Sequence, residues 1–570
     1  MSGSESEDMK KCVFILLLMI LNNLGCRECA DLVILNAKIW TVDRKNPLAE
    51  AVAVKGNRIL DVGWIPDLKP YIDQYTEIID ARGRLLLPGF NDSHLHLLEG
   101  GHSLLDVNVT GITSLQEIQN IIAARVDELP QGSWITGRGW DHTLFNRGVW
   151  PDKSMLDVVA PEHPVLIRRI DGHVGWTNSL ALKIAGIRDG TPDPEGGSIV
   201  RDPQTGQPTG ILKESAVSLV SRLIPAKSEE QDLTALKKAI FEAKRFGITS
   251  VQDNSGGKVL KLYHRLYKSG DLTLRISEWL DFDLADDPII LRKTIDSYSR
   301  FCVKDFIELG QLKGFMDGTL GSRTALFFEP YDDDTTTSGL QQMSDEVMQR
   351  RISVADSMQL QVGLHCIGAK ANYLALQGFA NARNRIGDRD RRHRLEHAQV
   401  LRPADIPLLS ENGVIASMQP THCTSDKRWA EARIGSDRCK GAYAWKSIQK
   451  SGAKICFGTD WPVEPLDPMR GLFAAVTRRD IETGLPVNGW FSEQRLILAD
   501  AIRFYTLDAA YAEFREDDKG SITQGKLADM ILLSKDIFSI SEDEILSARV
   551  VMTVFDGKVI YREKSEEPSP

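Results

Sequence analysis

A (β/α)8 TIM-type barrel of the α/β class is the fold this chain predicts, and three observations predict it. Between residues 88 and 519, short apolar runs alternate with helix-like segments. The first run, Leu85 to Leu87, breaks at Pro88-Gly89 and leads into His94-Leu95-His96. No Gly-rich phosphate loop follows that first strand, as a doubly wound sheet would require. At 570 residues the chain exceeds one small domain, so flanking units and an insertion are expected as well.

In chain order, Lys10 and Lys11 precede nine unbroken apolar residues, Val13 to Leu21. That run is too short to span a bilayer and fits a signal-peptide core. Residues 1–30 are therefore expected to be a signal peptide or an anchor, directing the chain to the secretory pathway or endoplasmic reticulum. The alternative is an apolar leader on a cytoplasmic protein. Any membrane contact is expected through this segment alone.

Residues 31–87 read as short strands with Gly and Asn turns: Leu32 to Leu35, Lys38 to Val42, Ala51 to Val54 and Arg58 to Leu60. Residues 520–563 have the same texture, with Leu527 to Leu533, Val550 to Phe555 and Lys558 to Tyr561. Two such flanks predict one composite β-sandwich built from both termini. Within the barrel span, residues 100–226 form a long excursion rich in Trp, Pro and Gly, including Gly139-Trp140-Asp141-His142 and Asp171-Gly172-His173. An insertion of that size at a barrel's catalytic face predicts a cap.

The barrel strands follow: the His-x-His strand, Ile248 to Asp253, Leu274 to Ser277, Leu312 to Asp317, Gln361 to His365, Arg394 to His397, Val414 to Met418 and Lys454 to Asp460. Barrel enzymes carry their chemistry at the C-terminal strand ends. Those ends supply His94 and His96, Lys313, His365, His397 and Asp460. Side chains two apart on a strand point the same way, so His94 and His96 can share one ion. Imidazole suits Zn, Fe, Ni or Cu better than Mg or Ca. One or two divalent ions are expected, zinc foremost. An ammonium has no lone pair to ligate with. A lysine desolvated beside cations can lose its proton and add carbon dioxide as a carbamate. Otherwise Lys313 is a salt-bridged strand-end lysine.

Formal net charge is −10 with a pI near 5.7, so no basic excess exists to neutralise nucleic-acid phosphates. Eight cysteines in this length make no disulfide framework. The expected partners are a small-molecule substrate and, at most, a second copy in a homodimer.

The pattern resembles the amidohydrolase superfamily, and within it the YtcJ-like branch that includes N-substituted formamide deformylase. The resemblance rests on Pro88 to His96, Gly139-Trp140-Asp141, Asp171-Gly172-His173, Lys313 with Asp317 to Ser322, His365 to Gly368, Glu396 to Gln399, Gly458 to Pro462 and Gly525 to Asp529. It implies that His94, His96 and Asp460 hold a first metal, that His365 and His397 hold a second, and that carboxylated Lys313 bridges them. The implied activity is hydrolysis of non-peptide C–N bonds, amide or N-formyl in type, by a metal-activated hydroxide. Asp460 would move the proton to the leaving nitrogen, and His173 is a second catalytic candidate. One position departs: Ala369 stands where the family commonly has Asp after His-x-Ile-Gly. The alternative reading is an amidohydrolase fold with weak catalysis and a binding or signalling role, which the plant members of the branch tie to far-red light signalling.

Overall fold

The computed structural model describes residues 28–146, 149–169, 174–194 and 197–564. The expected leader lies outside the described residues except at its last positions, and so does His173.

Eight parallel strands form the central sheet, in sequential order. They are β1 (Phe90–Leu95), β2 (Ile248–Asp253), β3 (Arg275–Asp281), β4 (Ile307–Phe315), β5 (Val362–Cys366), β6 (Arg394–His397), β7 (Ile415–Met418) and β8 (Ile455–Phe457). The predicted TIM-type barrel is the fold observed. Its ends meet just past β8, where the Asp460 amide donates to the His94 carbonyl at 2.7 Å. Gly458 permits that approach, because a Cβ there would stand 2.5 Å from the His94 nitrogen.

The helix before β2, Glu229–Arg245, shows why these segments fold as they do. Ser228 and Gln231 close a capping box, Glu229, Glu230 and Asp232 occupy the first turn, and Lys244 and Arg245 the last. Both ends thus complement the helix dipole. Leu233, Leu236, Ala239, Ile240 and Ala243 recur at helical spacing and bury one stripe against the barrel.

A six-stranded sheet joins the two ends of the chain. Strand Met530–Leu533 runs antiparallel to Leu85–Pro88, pairing Ile531 with Leu87. A four-stranded sheet from residues 32–80 packs against it over a core that includes Ile34, Val52, Leu86 and Leu532. Asp529 links this unit to the barrel through a bidentate pair with Arg275, at 2.6 and 2.9 Å. The insertion folds as a second six-stranded sheet, strands Val107–Asn108 to Pro208–Glu214. Trp140 and Trp176 fill its core with ring centroids 5.8 Å apart. Among the described residues no helix is long and apolar enough to cross a membrane.

Candidate metal centre and active site

The strand ends converge on one cavity of about 650 Å³. His94, His96, Lys313, His365, His397 and Asp460 all line it. His94 lies inside β1, while His96 starts the helix Leu97–Ser103 and keeps a quarter of its side chain exposed. His397 and Asp460 both have left-handed backbone, with φ of 74° and 59°. Non-glycine residues seldom adopt that conformation, and it concentrates at functional sites.

Each of the four histidines has one ring nitrogen against an oxygen acceptor. Nδ1 of His94 lies 2.7 Å from Glu396 Oε2, and Nδ1 of His96 lies 3.1 Å from the Asn254 carbonyl. Nδ1 of His397 lies 2.8 Å from Gln419 Oε1. His365 is turned the other way, its Nε2 lying 3.1 Å from the Gly318 carbonyl. An oxygen acceptor requires N–H, so each neutral ring keeps its lone pair on the opposite nitrogen. That arrangement fixes tautomer and ring orientation for ligation.

The free nitrogens meet a carboxylate. Nε2 of His96 is 3.3 Å, and Nε2 of His94 3.6 Å, from Asp460 Oδ1. Burial, with Lys313 nearby, pushes His94 down to about 4, so its ring is neutral near pH 7. Burial also takes His365 down to about 3 and His397 well below its ordinary value. Burial alone would raise Asp460, but His422, His94 and His96 hold it well below the usual carboxylate range. Burial works against a charged His96, but its contact with Asp460 raises it above the ordinary value, so a proton on His96 or a metal ion must lie between these nitrogens and the ionised carboxylate. Donor atoms of His94, His397 and Asp460 lie within 4.8 Å of one another, close enough for one ion to reach all three. The donor set therefore fits a divalent metal.

Lys313 projects from β4 into the same cavity, its Nζ buried and without a hydrogen-bond partner among the described residues. Its nearest described π-faces are Phe315 at 5.0 Å and Trp279 at 5.5 Å. Burial pushes it down to about 8, which makes a neutral amine accessible. The salt-bridge alternative for Lys313 finds no carboxylate within ion-pair reach among the described residues.

Several site residues carried no role in the sequence reading. His422 lines the cavity with Nε2 3.3 Å from Asp460 Oδ2. Gln419 supports His397, and Glu396 supports His94. Glu396 in turn is held by Arg394 at 2.7 Å and by Gln311 at 2.8 Å. Asp92 ties β1 to the Asp460 loop, accepting from the Thr459 amide at 2.9 Å and its hydroxyl at 2.6 Å. Asp317 accepts from the amides of Leu326, Ile367 and Gly368 at 2.8–3.0 Å. The loop after β5 is thus anchored although Ala369 offers it no carboxylate. No run or period marks Gln419 and His422, which straddle the start of the helix Pro420–Cys439 after β7. Trp140 lies in the core of the inserted sheet, and His142 stacks on Trp150 at 4.1 Å.

Residues 77–561 match the profile of the Amidohydrolase family. The chain is 34% identical to Protein LONG AFTER FAR-RED 3 of Arabidopsis thaliana over 542 residues, 93% of this chain and 92% of that one. It is 34% identical to YtcJ of Bacillus subtilis, covering 92% of this chain and 98% of the relative. N-substituted formamide deformylase of Arthrobacter pascens is 26% identical, with 94% and 99% covered. Among solved structures, an uncharacterized metal-dependent hydrolase from Pyrococcus furiosus superposes with a TM-score of 0.72 at 29% identity, covering 89% of this chain and 99% of that one.

Proposed function

The chain belongs to the Amidohydrolase family, and from that premise we propose that it is a metal-dependent hydrolase of non-peptide C–N bonds, amide or N-formyl in type. The observation that carries this reading is the set of four histidines, each pinned at one nitrogen and opening the other toward Asp460's cavity. The relative named N-substituted formamide deformylase supports the bond type.

His94, His96 and Asp460 would hold one ion, zinc by ligand chemistry, and His365 and His397 a second, with carboxylated Lys313 between them. When bound, such an ion polarises a carbonyl and lowers the pKa of water into the neutral range. The remaining work falls to side chains of this chain. Asp460 is ionised and can take a proton at Oδ2, the oxygen facing His422, and return it to a leaving nitrogen. Phe315, Leu320, Trp429 and Val463 give the cavity an apolar wall that displaces water from around the reacting bond.

A second reading, a weakly catalytic protein with a signalling role, draws on Ala369 and on the relative LONG AFTER FAR-RED 3. Asp317 weakens it, because that carboxylate accepts from the Ile367 and Gly368 amides and so anchors the loop without one at residue 369. Metal analysis of the purified protein, with a screen of N-formyl and cyclic amides, separates the two. Bound metal with turnover supports hydrolysis; bound metal with no turnover across that screen supports the second reading, and absent metal overturns both roles for the site.

A further inference from the structure

We propose that His422 is the positioning residue for Asp460, acting from a helix face built to support the centre. This deepens the hydrolase reading and rests on it. The helix after β7, Pro420–Cys439, starts at a proline, which suits a first helical position. Gln419, at the cap position just before it, and His422 and Asp426 within it are spaced i, i+3 and i+7, the spacing of one helix face. Each touches a different part of the site. Gln419 Oε1 accepts from His397. Asp426 Oδ2 accepts from Gln399 Nε2 at 2.7 Å and from the Tyr443 hydroxyl at 2.9 Å. His422 faces Asp460.

The division of Asp460 between its neighbours gives His422 its role. Oδ1 faces His94 and His96, and Oδ2 faces His422 at 3.3 Å. A carboxylate held at one oxygen cannot swing about its Cβ–Cγ bond, so the other oxygen stays with the histidine pair. His422 Nε2 is buried and makes no hydrogen bond of good geometry among the described residues; Asp460 Oδ2, 3.3 Å away, lies within ion-pair reach and is the acceptor it faces. A histidine kept only for packing looks different: His163 is buried with Nδ1 2.9 Å from the Ser133 carbonyl, outside the cavity. His422 instead keeps 15% of its side chain exposed in the cavity wall.

The test compares His422→Leu, which keeps bulk without a donor, with His422→Gln, whose amide N–H has similar reach. Full-length protein is loaded with zinc, and zinc retention is read by chelator competition. Steady-state kinetics follow on any N-formyl amide the wild type hydrolyses. The leucine variant should lose about 10–100-fold in zinc affinity and in kcat, with KM unchanged, the size usual for a group that orients a ligand. The glutamine variant should recover most of both. Wild-type zinc retention in His422→Leu overturns the inference, and so does an equal loss in both variants, which would mark a volume effect. A wild type that holds no zinc fails the hydrolase reading itself, a separate outcome from either.

Discussion

Oε2 of Glu396 stands 2.7 Å from Nδ1 of His94, and both side chains are essentially excluded from solvent. Burial works against a charged Glu396, but Arg394 and the His94 hydrogen bond hold its carboxyl well below the usual range. The pair directs the His94 lone pair into the cavity, the arrangement of a carboxylate–histidine–metal relay. Glu396→Gln keeps an acceptor for His94 but removes the charge opposite Arg394. Metal affinity, read by chelator competition, should fall by about 10–100-fold. Glu396→Ala should also unfold more easily, because Arg394 would be left buried and unpaired. Unchanged affinity in both variants would mean that His94 is oriented by packing alone.

The contact between barrel and terminal sheet predicts a stability effect remote from the site. Asp529 holds Arg275 in a bidentate pair, with both side chains nearly fully buried. Breaking a buried pair from one side costs about 3–5 kcal/mol. Asp556, 3.1 Å from the same guanidinium, should keep Asp529→Ala near the lower figure. Urea unfolding of the purified protein measures it, with Arg275→Met/Asp529→Leu expected to recover much of the loss. A cost no larger than that of an exposed pair would show that the sheet and barrel do not depend on this link.

Gly458 predicts a third effect. A methyl there would stand 2.5 Å from the His94 nitrogen and 2.7 Å from Asp92 Oδ1, so β8 must move away from β1. Gly458→Ala should cost about 1–3 kcal/mol as overpacking and weaken metal binding as well. Gly63→Ala is the control, since its nearest neighbours lie at an ordinary 3.7 Å. Equal melting temperatures for the two variants would contradict the close approach.

The barrel was legible because the strand-like segments that alternate with helix-like ones fall on β1 to β8, although the apolar run Leu85 to Leu87 ahead of the His-x-His belongs to the terminal sheet. The cavity's histidines were legible for the same reason, as strand-end residues. His422 was not, because it sits one turn into a helix, where a lone histidine has no period to mark it. Glu396 was visible within Glu396-His397, but its task depends on His94, 302 residues away in sequence. The sheet within the insertion escaped because its strands are short and some carry glycine, so alternation never runs long enough to read.

Lys313 gives the last prediction. Its Nζ is buried in the cavity without a hydrogen-bond partner among the described residues, and burial, the largest influence on it, brings its pKa down to about 8. Two unit charges 4 Å apart interact by roughly 4 kcal/mol at an effective dielectric near 20. An ammonium beside two dications is therefore untenable. The neutral amine can add carbon dioxide, forming an N–C bond and releasing one proton, and the carbamate then offers two oxygens where the ammonium offered none. Lys313→Ala should lower metal content and abolish hydrolysis. Short carboxylic acids added in bulk should restore part of both by filling the vacated space. Lys313→Glu should retain some metal, because it supplies a carboxylate at shorter reach. Metal stoichiometry and turnover are measured for wild type, both variants, and the alanine variant with added acid. If Lys313→Ala binds metal and turns over as the wild type does, the lysine is not a bridge, and the centre is mononuclear around His94, His96 and Asp460.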